Sequence, residues 1–313
     1  MVEKMKVVPV VFTFDDNMSF PAAVCISSLM QAAARNTFYD IFVLHSGAVP
    51  EITGLDKLKQ AYPNMSIQYR SVGETFETAY EIRGITKAAY YRLLAADLIP
   101  EYDRVIYADV DTIFRQDLSE LYESDLEGNY LGAVYALGIN TSAEGHSHLK
   151  SIGLEPGGYV VSGFLLMDLN KMRKDGITES FKALANRNYK YQDQDIINLV
   201  CKDKIKPLSY IHHMDVKAFE AISLQTELLN THFMFNPTGQ DPLLHSNIHY
   251  NGVKPWKDWC PNIDQWWEYY RKSPIYDPQY YFTFFNNKLN HLDQLSLLKR
   301  LKLVVRYFIY GKR

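Results

Sequence analysis

A chain of 313 residues, 47% hydrophobic and 22% charged with 33 basic against 36 acidic residues, is long and apolar enough to bury a large core and is not a disordered segment. After Asp293 come six basic residues and no acidic one, so setting that tail aside takes the formal charge of the remainder from −3 to −9. An acidic body with a basic end argues against nucleic acid, whose binders carry the basic patch on the folded domain, and points to a tail with its own partner.

The elements alternate through the first half. The apolar, β-branched run "KVVPVVFTF" (6–14) predicts a buried strand, and Ser19 and Pro21 then predict an N-cap and a first-turn proline for a helix carrying Ile26, Leu29 and Met30. A second strand follows at "DIFVLHSG" (40–47), a surface helix in "EITGLDKLKQAY" and a third strand at "MSIQYRSV". "TKAAYYRLLAADLIP" (86–100) has the apolar spacing of a helix and leads into the strand opening "YDRVIYADVDTIF" (102–114). This β-α-β-α-β-α-β order predicts an α/β fold with a mostly parallel sheet and helices on its faces. Later strands are expected at 130–137 and 159–169, separated by a Gly/Ser/His-rich loop, with helices near 170–186 and 193–201. The stretch from Trp256 to Phe285 is densely aromatic, which is more often core than ligand platform.

Three cysteines, Cys25, Cys201 and Cys260, are too few and too scattered for a disulfide framework. The N-terminal apolar run is interrupted by Pro9, and no stretch reaches the roughly 18 apolar residues of a membrane span. A cytoplasmic protein is expected.

Asp109 and Asp111 stand one residue apart where an apolar strand ends. Residues i and i+2 of a strand share a side, so both carboxylates should face one spot at the strand's C-terminal edge, where ligands of open α/β sheets bind. Close carboxylates repel, and a divalent cation keeps both ionised; hard oxygen ligands suit Mg²⁺ or Mn²⁺. A helix cap plus a solvated aspartate is the bland alternative.

Four motifs in order, "FTFDDN", "YADVD", "YQDQDIIN" (191–198) and "HYNGVKPW" (249–256), resemble glycosyltransferase family 8, which includes glycogenin and bacterial lipooligosaccharide galactosyltransferases. The resemblance covers roughly residues 6–270 and implies a GT-A fold, a Rossmann-like mixed sheet with helices on both faces, extended here by a helical C-terminus. It also implies transfer of a hexose from a UDP-sugar with retention at the anomeric carbon, dependent on Mn²⁺ or Mg²⁺. By resemblance, Asp109, Asp111 and His249 hold the metal, and Asp15 and Asn17 hold uracil and ribose, where an Asx turn is the local alternative. Arg92 and Lys87 lie at the donor sugar, although Lys87 also fits an exposed basic helix face. Gly163 closes backbone on the sugar, Gly252 admits the diphosphate and Lys254 neutralises it. Asp193 binds the donor sugar and Gln194 lies beneath the anomeric carbon. The family commonly has two residues between that Gly and Lys, and here only Val253 intervenes. Val161 and Ala136 stand where related galactosyltransferases have Asn and Asp, which leaves the donor hexose open and keeps a catalytically silent UDP-sugar binder as an alternative; a glycoside hydrolase is a third reading.

The expected catalytic domain spans 1–285 and the tail 286–313. In the tail, Leu297, Leu298, Leu301, Val304, Val305 and Phe308 form one apolar helical stripe with most of the cations off it and with Tyr307 and Tyr310 suited to an interface. An anionic membrane surface contacted through residues 295–313 is the expected partner, placing the protein on the inner membrane face beside a saccharide or glycolipid acceptor.

Overall fold

The structure, a computed structural model, describes residues 4–81 and 86–310, leaving aside the side chains of 291–292 and 307–310. Its main sheet contains β1 (Lys6–Thr13), β2 (Thr37–His45), β3 (Met65–Ser71), β4 (Arg104–Ala108), β6 (Leu131–Tyr135), β7 (Val160–Asp168) and β8 (Ile205–Pro207). Strand order is β3-β2-β1-β4-β7-β6-β8. The four strands read from the first half are mutually parallel, as the β-α repeat requires. β7 enters between β4 and β6 antiparallel to both, which makes the sheet mixed.

Both faces are covered, because alternate residues of β1 serve two cores. Val8, Val10 and Phe12 pack with Ala22, Ile26 and Leu29 of the helix Ser19–Ala32, while Val11 joins Phe42, Tyr90, Leu93 and Ile196 on the other face. The aromatic C-terminal stretch belongs to the first core. Trp266, Trp267 and Tyr270 of the helix Ile263–Lys272 are buried, and Phe20 meets Trp266 and Tyr270 edge-on at 5.6 and 5.2 Å.

Several expectations change. Ser19 is the first helical residue rather than the cap, since a 3-10 turn at Asp16–Met18 precedes it. The expected helix at 86–100 is broken into Ala88–Tyr91, a 3-10 turn at Arg92–Leu94, and Ala95–Leu98. The expected loop between β6 and β7 contains two short helices, Leu137–Thr141 and Ala143–Ser151, the second capped by the Ser142 hydroxyl. The helix near 170–186 is two, separated at Gly176, whose φ of +66° an L side chain adopts only with strain. The expected boundary at 285 falls inside the helix Pro278–Asp293, and the break lies before the final helix Leu297–Tyr310. No described helix is long and apolar enough to cross a membrane.

Candidate active site

β1 and β4 run parallel and adjacent, so the residues that follow them emerge at one edge of the sheet. Thr13 Oγ1 and the Tyr107 phenol, 2.8 Å apart, tie those two strand ends together. The phenol's single proton goes to Asp109 Oδ1 at 2.7 Å, so Thr13 is the donor in the first bond.

Asp109 and Asp111 do not sit in a strand. β4 ends at Ala108, and the two aspartates occupy the turn before β5 (Thr112–Ile113). Strand alternation therefore does not bring them together; the turn does, with Asp109 N bonded to Gly163 O. β5 pairs antiparallel with β9 (Ile248–His249), which sets His249 opposite Thr112 and beside the carboxylates. His249 Nε2 lies 3.0 Å from Asp111 Oδ1 and 3.7 Å from Asp109 Oδ2. One ligating atom from each of the three residues falls within 4.8 Å of the others, a compact set of two hard oxygens and an imidazole nitrogen that fits a small divalent cation.

The remaining oxygens are committed elsewhere. Asp109 Oδ1 faces the Arg92 guanidinium at 3.0 Å, and Asp111 Oδ2 lies 2.5 Å from Lys254 Nζ. The short spacing through Val253 therefore still lets Lys254 reach the site. Burial alone raises the Asp111 pKa, but His249 and Lys254 hold it well below the usual carboxylate range. Burial likewise lowers the His249 pKa, and the Asp111 and Asp109 carboxylates outweigh it to leave the imidazole above its ordinary value.

Arg92, 4% exposed, lies 4.2 Å over the Tyr107 ring and also meets Asp193 at 3.3 Å. Asp193 is buried, and burial pushes its carboxyl up to about 6 against the pull of Arg92. Beside it, Gln194 Oε1 accepts a hydrogen bond from Ser162 N at 3.2 Å. Asp195 turns inward instead, accepting from the Tyr159 hydroxyl, His148 Nε2 and Tyr191 N, so it fixes the helix start rather than facing the cleft. Gly163 is where bulk is excluded: a Cβ there would stand 2.7 Å from Asp109 Oδ2 and 2.9 Å from His213 Cε1. Gly163→Ala is therefore expected to push the carboxylate out of the cluster and weaken Mn²⁺ binding by about 10-fold or more, measured by titration calorimetry with circular dichroism unchanged.

These groups line a cleft of about 520 Å³ that includes Asp15, Arg92, Asp193, Gln194, Gly252 and Lys254. Asp15 also lines an adjoining cavity of about 250 Å³ with Lys87, whose ammonium bonds to Glu77 O. Asn17 is exposed and lines neither cavity; its N–H is held by Asp15 Oδ1, the Asx arrangement weighed from the sequence. Three residues of the site escaped the sequence reading. Tyr107 sits two residues before Asp109 in the same strand, a legible position, whereas Thr13 and His213 carry no local signal.

The profile of glycosyl transferase family 8 matches residues 9–260. The chain belongs to that family. Among relatives of this family 8 glycosyltransferase, a putative glycosyltransferase of Haemophilus influenzae is 31% identical over 58% of this chain and 52% of its own length. General stress protein A of Bacillus subtilis is 26% identical over 81% of this chain and 88% of its own. A lipopolysaccharide 1,2-glucosyltransferase of Escherichia coli is 30% identical over 56% and 51%. The chain thus spans about half the length of the first and third of these relatives. The galactosyltransferase LgtC, solved with donor and acceptor sugar analogues, superposes with a TM-score of 0.70 at 24% identity, covering 87% of this chain and 99% of LgtC. That likeness establishes the GT-A fold.

Proposed function

We propose that this family 8 glycosyltransferase moves a hexose from a UDP-sugar to a saccharide or glycolipid acceptor, with retention at the anomeric carbon, in the synthesis of a cell-surface polysaccharide or lipopolysaccharide. The observation that carries the reading is the convergence of Asp109, Asp111 and His249 within 4.8 Å, with the Lys254 ammonium beside them. A glycoside hydrolase has no use for an imidazole and a lysine gathered on its carboxylates, and its two acids stand across a sugar rather than on one another. Asp109, Asp111 and His249 would hold Mn²⁺ or Mg²⁺, which supplies Lewis-acid neutralisation of charge on the UDP leaving group. Lys254 presents a further positive charge to the diphosphate. Asp193, buried and turned to the cleft, accepts a hydroxyl of the donor sugar. Gln194 is a poor nucleophile, and its Oε1 is already engaged with Ser162 N. Attack on the same face, with the leaving phosphate taking the acceptor's proton, needs no protein nucleophile and fits this site better than double displacement. Glucose and galactose, named in the relatives' activities, are the first donors to test. Incubation with a panel of UDP-hexoses and Mn²⁺ is expected to release UDP from one of them; tight binding without release from any would favour the silent binder.

The C-terminal tail with its final helix Leu297–Tyr310 is proposed to attach to an anionic membrane on the cytoplasmic side. Leu297, Leu298, Leu301, Val304 and Val305 stand 47–83% exposed on the helix Leu297–Tyr310, so the stripe is not packed on the body. The side chains of Tyr307, Phe308 and Tyr310 lie outside the described residues. Each cation contributes about 1 kcal/mol near an anionic leaflet. Full-length protein is expected to sediment with vesicles rich in anionic lipid, and a chain truncated at residue 290 to stay in the supernatant; equal soluble fractions would refute attachment.

A further inference from the structure

His213 has no part in the roles assigned above, yet it is 2% exposed and packed directly behind the candidate metal ligand. Its Nε2 lies 2.9 Å from His249 Nδ1, with ring centroids 4.3 Å apart. Met214 fixes the approach, because it bridges Ile248 and its carbonyl accepts the His249 N–H. His213 Nδ1, by contrast, is buried with no hydrogen-bond partner among the described residues.

Two imidazoles that share one hydrogen bond need one donor and one acceptor. If His213 donated from Nε2, His249 would accept at Nδ1 and carry its proton on Nε2. That proton would point at Asp111 Oδ1, 3.0 Å away, and leave no lone pair for a cation. With the roles reversed, His249 donates from Nδ1 and turns a bare Nε2 toward the two carboxylates. We propose that His213 is a positioning residue that accepts the Nδ1 proton of His249 and thereby fixes the tautomer and ring orientation in which Nε2 binds the divalent cation. A ligand histidine held through its second nitrogen is a recurrent device, although the partner is usually a carboxylate, carbonyl or water. Here the acceptor is a neutral ring, so it orients His249 without adding a third negative charge to Asp109 and Asp111. Burial of the His213 Nδ1–H without a partner is the cost of that arrangement.

The inference rests on the metal reading above, and the test separates the two. Mn²⁺ binding to the full chain, followed by electron paramagnetic resonance of the free ion, is expected to weaken about 10- to 100-fold in His213→Leu. His213→Gln, whose Oε1 can accept at similar reach, is expected to return to within a few-fold of the wild type. If His213→Leu binds Mn²⁺ as the wild type does, the positioning role falls and the metal site stands. If His213→Gln is as weak as His213→Leu although both melt like the wild type, the role of acceptor falls. A wild type that binds no Mn²⁺ overturns both readings. Long-range ¹H–¹⁵N correlation of the wild type with Mg²⁺ and UDP reads the tautomer without any substitution: His249 is expected protonated on Nδ1 alone, and a proton on Nε2 would refute the proposal.

Discussion

Asp111→Asn is expected to lower metal-dependent UDP release by on the order of 10³-fold. The substitution keeps the shape of a side chain that is 8% exposed, so the turn between β4 and β5 should hold. What it removes is the charge that three groups depend on. One oxygen of Asp111 faces His249 Nε2 at 3.0 Å and the other faces Lys254 Nζ at 2.5 Å. An amide offers one acceptor oxygen and a donating nitrogen, so if the oxygen stays with Lys254 the amide N–H turns to His249 Nε2 and occupies the lone pair that would bind the cation. The candidate metal set loses one of its two hard anionic ligands at the same time. Titration with Mn²⁺ should show the same order of weakening, which ties the rate to the metal rather than to a general disturbance. Retention of Mn²⁺-stimulated release by the variant would remove Asp111 from the metal site and with it the reading of the cluster.

The parallel part of the sheet and the identity of the acidic pair were legible because both are local. Strands β1 to β4 are short apolar runs separated by helical spacing, and Asp109 and Asp111 interrupt such a run. What the sequence misjudged was the means of convergence: i, i+2 alternation does not operate in a turn, and the contacts come from Gly163 and the β5–β9 pair. His249 was reached only through family resemblance, since a two-residue strand late in the chain has no periodicity to announce it. Asp195 shows the opposite case. It shares a motif with Asp193 and Gln194, yet three internal donors claim its carboxylate, a fact no pattern encodes. His213 and Thr13 belong to the same class, being brought to the site by contacts with partners 36 and 94 residues away.

Arg92 is buried and paired with two carboxylates, and Arg92→Met is expected to destabilise the fold by about 3–5 kcal/mol near neutral pH. The guanidinium is enclosed by Asp109 Oδ1 at 3.0 Å, Asp193 Oδ2 at 3.3 Å and the carbonyls of Ser162 and Ala89 at 2.6 and 2.8 Å, with the Tyr107 ring beneath it. Methionine fills much of the volume but leaves the buried Asp193 carboxylate, and the half-buried Asp109, without the guanidinium. Among the described residues Asp193 Oδ2 has no hydrogen-bond partner, so the ion pair with Arg92 is what compensates that oxygen. The loss should depend on pH in a definite direction. The Asp193 carboxyl titrates at about 6 in the folded chain against an ordinary 3.8, so the folded state binds more protons between those values. Its contribution to stability is therefore greatest at low pH and is lost as pH rises through about 6. Removing Arg92 takes away the pull that holds this value down, and the loss extends to higher pH. The gap between the urea midpoints of wild type and Arg92→Met should accordingly be narrower at about pH 5, where Asp193 is protonated, than at about pH 7.5, the loss of the Asp109, carbonyl and Tyr107 contacts remaining at both. An equal gap at both would show that the ionised Asp193 is not what Arg92 sustains.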